Sequence, residues 1–487
     1  GELHRMNAVV TQYAKKNRYS LNGKKSAVMV FNANAATKAA VAAHPWTLSG
    51  EPVKVKSWYK YLGIELLENV RDWKKYIKRI IVQATMISEN LTWTCRKDSG
   101  LCPRTSATLW KAIVRPVLEY AAEIWAGEIP QALASRMEAI QTTFARVVLG
   151  LVGCQSIPND AIRSELGMEK LSSRWEKLRL GYWWRLHAAS PDRTLTALAS
   201  LRYKHTGWQT AGAEHGWMAT TRDLLIRRGL GDYWHHPNMC AKQEKLKWKD
   251  AVYAAVEMAE TTACRVRLNL MGQAGNRFER LKNWDEVTED YACFSGEIGR
   301  LGALVPEPYL DDRLEPVGRK LKLMARLGCL PTLNRVVREE KMHPTDAVCR
   351  LCQTGEVEDL AHLVTSCPAH ARHRDKLHAV VDAALSRVAP IMGVIVCDNI
   401  AAIEPESQLD LLMGKSIGDA HADARIDSAM KRFLKKAWRG RKWLAVHINK
   451  AFEREDTLWA LNAHGDSMGN TCAHAAISKK HTNSNRR

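Results

Sequence analysis

The spacing of apolar residues changes near residue 69. Before it, short runs alternate as strands do; after it, apolar positions return every three or four residues, as a helix requires. In "RYSLNGKKSAVMVF" a turn at Asn22-Gly23 precedes an apolar, β-branched run from Ala27 to Phe31, which predicts a strand. The stretch "EPVKVKSWYKYLGIEL" alternates through Val53, Val55 and Ser57 before Tyr61, Leu62, Gly63 and Ile64. Its Gly63 marks a bend or a close backbone approach. In "RDWKKYIKRIIVQATMI", Arg71, Lys74, Lys75, Lys78 and Arg79 share one helical face, with Trp73, Ile77 and Ile80 largely elsewhere. "TSATLWKAIVRPVLEYAAEIW" continues as helix with a kink or break forced by Pro116. "SRMEAIQTTFARVVLG" places Met137, Ile140, Phe144 and Val147 at helical spacing and stops at Gly150. Further helices are expected over Ser172 to His187 and Leu246 to Ala259.

These patterns predict a mainly α chain with a small α+β piece at its N-terminus. Residues 1–68 form that piece, 69–150 a first set of helices and 151–304 a helical connector. "VPEPYLDDRLEPVG", rich in proline and acid, reads as a linker over 305–318. Residues 319–397 lead into a Cys/His cluster, 398–476 form a basic helical segment, and 477–487 a disordered tail. The most apolar run, Val388 to Cys397, is half the ~20 residues a membrane-crossing helix needs, so a core segment is expected and no membrane partner.

Charge sharpens this outline. The chain of 487 residues carries a net charge of +20. Through Gly150 there are 22 Lys+Arg against 11 Asp+Glu, and from Arg425 onward 14 against 5. The two surpluses account for the whole net charge, so a neutral body lies between two basic ends. Charge concentrated in this way favours a polyanion, nucleic acid before a lipid surface. Close to the first basic stripe, Trp58, Tyr59 and Tyr61 could stack on bases, or as readily serve as strand and core aromatics. Twelve cysteines scattered from Cys95 to Cys472 make a poor disulfide framework and fit a reducing compartment, nucleus or cytoplasm.

Only one group of cysteines is clustered. "CRLCQTGEVEDLAHLVTSC" has the spacing C-x2-C-x9-H-x4-C, with Cys349, Cys352, His362 and Cys367 as candidate ligands of a closed, structural Zn(II) site. Glu358, one helical turn before His362, is a candidate acceptor for the imidazole's other N–H. His370 and His373 in "CPAHARH" are alternative ligands. "YLDD", Tyr309 to Asp312, looks like the paired-carboxylate turn that holds two Mg(II) ions in some polymerases. Its flanks "VPEP" and "RLEPVG" carry proline on both sides and cannot form the required hairpin. No Gly-rich phosphate loop, Ser/His/Asp order or HExxH occurs, and His235-His236 lack partners at metal spacing.

Taken in order, several segments resemble the reverse transcriptases of non-LTR (LINE-like) retrotransposons. "RYSLNGKKSAVMVF" is similar to their palm motif D, "YKYLGIEL" to the primer-gripping motif E, and "LWKAIVRPVLEYAAEIW" to their thumb helices. "RMEAIQTTFARVVLGL" and "IPNDAIRSELGMEKLSSRWEKLRL" resemble the region that follows, and "LMARLGCLPTLNRVVREEKMHPTDAVCRLC" the approach to the family's CCHC zinc knuckle. The resemblance spans roughly Tyr19 to Cys367. It implies that residues 1–68 are a palm remnant, 69–150 a thumb, and 319–397 a helical approach and knuckle that binds RNA or DNA. The family's catalytic aspartates lie in motifs that precede motif D, so the chain is expected to be inactive alone; Mg(II) belongs only to the complete polymerase. By position Lys25 matches a family proton donor, with a solvent-exposed turn lysine as the alternative, and Tyr61, Leu62 and Gly63 match the primer support. Arg350, Arg372, Arg374 and Lys376 surround the knuckle ligands and could reach phosphates. Two other readings stay open: part of an active enzyme once the N-terminal palm is supplied, or a zinc-stabilised helical scaffold for protein partners.

Overall fold

A computed structural model describes residues 2–69, 72–96, 100–152, 154, 156–190, 193–206, 216–236, 245–269, 306–311, 315–352, 354–392 and 399–441. Among these the chain is mainly helical, and its strands are short and confined to the N-terminal 67 residues. Arg71, residues 270–304 and residues 442–487 with the expected tail lie outside the described residues.

The N-terminal piece is α+β. A helix, Glu2–Lys16, precedes the Asn22-Gly23 turn, where the Asn22 side chain accepts a hydrogen bond from the Lys25 N–H at 3.0 Å. The run expected as a five-residue strand pairs only over Ala27–Val28, in parallel with Lys54–Val55. Among the described residues nothing flanks this pair to extend it, because the remaining strands form separate two-stranded pairs. The longest pair is the hairpin Trp58–Tyr61 with Ile64–Leu67, closed by Leu62 and Gly63 with φ +47° and +84°. Positive φ at both turn residues matches the right-handed twist of the flanking strands. Glycine meets that demand at the second position, where a Cβ would also come to 3.4 Å of the Tyr120 ring.

Downstream, the helical spacing reads out as expected. Lys74–Arg96 buries Tyr76, Ile77, Ile80, Ile81 and Ala84. Pro103–Ile113 and Arg115–Glu119 meet at Val114, with Pro116 in the first turn of the second helix, where its missing N–H costs nothing. Gln131–Leu149 buries Met137 and Phe144 and ends at Gly150, whose φ of +69° lets its N–H reach back to the last turn. The helices Leu171–Ala188 and Lys245–Asn269 pack on each other.

Two hydrophobic cores result. The larger draws on Tyr76, Trp110, Phe144, Leu166, Leu310, Met324, Leu363, Val381, Ile400, Leu412 and Ala437, so it collects side chains from Tyr76 to Trp175 and again from Cys264 to Ala437. The smaller is rich in tryptophan: Trp183, Trp234 and Trp248 pack with Leu180, Leu224, Leu225 and Val256. The two long helices at 171–188 and 245–269 contribute to both, through Trp175 and Leu268 to one and Trp183 and Val256 to the other.

Within the stretch 305–318, the described residues 306–311 and 315–318 include buried side chains. Pro308–Asp311 is a 3-10 turn with Tyr309 and Leu310 buried in the larger core. The Tyr309 hydroxyl donates to Glu165 Oε2 at 2.6 Å, and Asp311 pairs with Arg104, while Asp312 lies outside the described residues. Prolines on both sides stop a hairpin but do not stop the tyrosine from docking. Glu165 in turn holds Arg326, fully buried at the end of the helix Pro316–Arg326, with Nε to Oε1 at 3.0 Å; Glu307 adds a second contact at 3.0 Å. Burial alone opposes the charge of Arg326, and the two carboxylates outweigh it and hold the guanidinium charged.

The basic segment contains a helix that is docked on the rest of the fold. Ala420–Gly440 buries Ile426, Met430, Phe433, Leu434 and Ala437, and it packs on Pro316–Arg326 and on Ala371–Met392. Asp427 accepts from buried Lys322 and buried Lys431, each at 2.6 Å, and Lys435 pairs with Glu315 at 2.7 Å. Part of its positive charge is therefore spent inside the fold. Among the described residues no helix is long and apolar enough to cross a membrane.

Candidate metal centre and basic surfaces

The four ligand candidates come together although 18 residues separate the first from the last. A short antiparallel bridge, Val348 with Val357, turns the chain back between Cys349 and Cys352 and the histidine. The Cys349 N–H donates to Glu356 O and the Glu358 N–H to Ala347 O, both at 2.8 Å, and Gly355 takes φ +81° at the tip. After the bridge, Asp359 accepts from the His362 N–H at 2.8 Å and starts a π-helical turn, His362–Ser366. One wide turn places His362 and Cys367 on the same side.

One ligand atom from each of Cys349, Cys352, His362 and Cys367 lies within 4.8 Å of the others. Cys349 Sγ and Cys367 Sγ are 4.0 Å apart, and Cys352 Sγ is 3.3 Å from His362 Nε2. A tetrahedral zinc with Zn–S near 2.3 Å and Zn–N near 2.05 Å needs sulfur–sulfur edges of about 3.8 Å and sulfur–nitrogen edges of about 3.5 Å. The cluster therefore has the size and donor set to hold a metal such as zinc, and three of its four side chains are buried.

The imidazole is oriented for this task by a residue other than the expected one. His362 Nδ1 lies 2.5 Å from Glu356 Oε2, which also accepts from Ser366 Oγ at 3.3 Å, so Nε2 is left to face the sulfurs. Glu358 is engaged elsewhere: it accepts from the Leu333 N–H at 3.2 Å and pairs with buried Arg441. Helical spacing suggested Glu358, but the helix begins only at residue 360: Glu358 still belongs to the bridged hairpin, its N–H bonded to Ala347 O. His370 and His373 are not among the grouped ligands; buried His370 packs edge-on against Phe433 at 6.3 Å.

The thiols differ among themselves. Burial works against ionisation of Cys352, but hydrogen bonds from the hydroxyl and backbone of Thr354 bring its thiol down to about 6. Burial, with Cys349 and Cys352 nearby, pushes the Cys367 thiol up to about 12. A divalent cation among three such sulfurs reverses their mutual repulsion and deprotonates them on binding.

The basic candidates fall into distinct roles. Lys74 and Lys78 are exposed, and exposed Lys75 sits over the Trp58 ring at 4.0 Å. Arg79 points back to the hairpin: its Nε meets Glu65 at 2.9 Å and its Nη2 donates to Gly63 O at 2.8 Å. The Tyr120 hydroxyl donates to Leu62 O at 2.5 Å, so both carbonyls of the turn are held by the helices that follow. Tyr61 is 59% exposed beside that turn, and Leu62 72%. Lys25 is exposed in its 3-10 turn, and its carbonyl accepts from the Tyr59 hydroxyl. Around the cysteines Arg350, Arg372 and Lys376 are exposed, whereas Arg374 donates to Cys367 O at 2.9 Å and helps fix the last ligand. Compared with known proteins, the chain matches no family model, no curated protein and no solved structure.

Proposed function

We propose that this chain is the nucleic-acid-binding C-terminal part of a non-LTR retrotransposon reverse transcriptase, stabilised by one structural zinc and unable to polymerise alone. The observation that carries the reading is the Cys3His cluster, with four ligand atoms within 4.8 Å. It follows, in the order of that family, the segments resembling motifs D and E and the thumb. Exposed Arg350, Arg372 and Lys376 around the ligands, and Lys74 and Lys78 on the first basic helix, supply charge for a phosphate backbone. The turn Leu62-Gly63, clamped by Tyr120 and Arg79, supports a rigid contact point for a primer strand beside exposed Tyr61. Leu3, Met6, Val9 and Tyr13 on the helix Glu2–Lys16 leave an apolar stripe exposed, a surface for the rest of a palm to cover.

In this reading the zinc fixes Cys349, Cys352, His362 and Cys367 and supplies folding energy rather than chemistry. Metal analysis of the purified chain is expected to give one zinc per chain, lost in Cys352→Ser, together with RNA or DNA binding that weakens when the metal is stripped. Zinc retained in Cys352→Ser removes the ligand assignment. Templated primer extension by the chain with Mg(II) alone would overturn the proposal that it cannot polymerise by itself.

A further inference from the structure

Between the helices Ala371–Met392 and Ala420–Gly440 lies an open cleft of about 610 Å³. Val380 and Arg387 line it from the first helix, and His421, Arg425, Ser428 and Arg432 from the second. The spacing of four, three and four residues puts the latter set on one helix face, opposite the buried Ile426, Met430 and Phe433. Arg387, Arg425 and Arg432 are all exposed, and no ion pair joins any of them to another described residue.

Four acids on and beside these helices are turned to other work. Asp427 is shared by Lys322 and Lys431, and Asp423 accepts from Ser416 Oγ and the Ile417 N–H. Asp382 accepts from the Ile400 N–H at 2.7 Å. Asp419, close enough to Arg387 to feel its charge, caps the second helix by accepting from the His421 and Ala422 N–H groups at 2.8 Å. The fold thus neutralises the inner lysines of the basic helix and leaves its outer arginines converging on one groove.

We propose that this cleft binds the phosphodiester backbone of a nucleic-acid strand, with Arg387, Arg425 and Arg432 each taking a phosphate. Guanidinium forks match phosphate oxygens two at a time, and the Ser428 hydroxyl adds a neutral donor on the same line. Arg425 and Arg432, seven residues apart, are separated by about 10 Å along the helix axis. The apolar residues that line the cleft, Val380 and Ala424, are both small, and the other lining residues carry polar or charged groups. The inference deepens the nucleic-acid reading by naming the surface, and it rests on that reading.

The test uses the full chain, a short labelled RNA strand and the DNA strand of the same sequence, with binding measured by anisotropy across a salt series. Replacing all three arginines by glutamine is expected to weaken binding tenfold to a hundredfold near 0.1 M salt. The slope of log K against log salt should flatten by about 2, at about 0.7 per phosphate contact on a single strand. Thermal unfolding should not move, because all three side chains are exposed, and the triple lysine variant should keep the slope. An unchanged slope in the glutamine variant, with binding intact, overturns the cleft assignment while the nucleic-acid reading stands. No binding by the unaltered chain to either strand at low salt overturns both. Displacement of the strand by poly-glutamate at lower concentration than by unlabelled RNA assigns the cleft to an acidic protein and overturns the proposal.

Discussion

At the scale of single residues, the fold depends on charges that sequence patterning treats as surface. Arg326 is fully buried and touches Glu165, Glu307 and Met413 O, while Tyr309 completes the coordination of Glu165. Removing one partner of such a pair strands the other charge in the core. Arg326→Met is expected to cost roughly 3–5 kcal/mol, with part of the loss restored in the double variant with Glu165→Gln. Denaturant midpoints at unchanged m value provide the measurement. His187 gives a pH dependence of known sign. Burial against Trp183 lowers its pKa from 6.5 to about 4. The unfolded chain therefore binds the proton first, and stability is fully present above about pH 6.5 and falls as the pH drops toward 4. A loss of roughly 2–3 kcal/mol across that window is expected, and His187→Phe should flatten it in thermal melts recorded from pH 7 to pH 4.

Element by element, local rules explain what was legible. Gly150 ends its helix and Gly63 closes a hairpin because each needs a backbone conformation that few other residues adopt, a requirement fulfilled wherever the rest of the chain goes. The C-x2-C spacing was legible for the same reason. The strand expected at Ala27 to Phe31 shrank to two residues because a strand needs a neighbour, and only Lys54–Val55 provides one. Glu356 displaced Glu358 as the histidine's partner because Glu358 still lies in the bridge, before the helix starts, and its carboxylate is taken by the Leu333 N–H and Arg441. Close helix crossings were invisible in the same way. Gly318 packs directly on the backbone of Lys431, where an added Cβ would overlap the carbonyl. Gly318→Ala is expected to destabilise the protein by about 1–3 kcal/mol by forcing the two helices apart. Limited proteolysis should show the 420–440 helix cut earlier in that variant, while a Gly355→Ala control acts on the metal hairpin alone.

For the whole molecule, the described residues gather into two cores that share a pair of helices. Composition marks where proline and acid gather, but whether such a stretch is a joint or a plug depends on partners far away, as Tyr309 and Glu165 illustrate. The smaller core holds nine buried residues against the much larger set around Trp110 and Met324. Its amides, in the helices Trp217–Arg227 and Gly231–His235, are expected to exchange with solvent well before those of Gln131–Leu149. Hydrogen exchange read by mass spectrometry checks this; equal protection in the two regions would mean that they open as one unit.

The tie between Glu165 and Arg326 has a consequence during synthesis. The two residues are 161 positions apart, and the core they lock extends to Ala437. At roughly 5–20 residues per second, a ribosome needs about 8–30 s between making the carboxylate and making its cation. For that interval the nascent helices around Trp110 and Phe144 carry an acid with nothing to neutralise it and an apolar surface with nothing to cover it. Emergence of the helix Ala420–Gly440, rather than of the early helices, is then expected to be what completes the larger core.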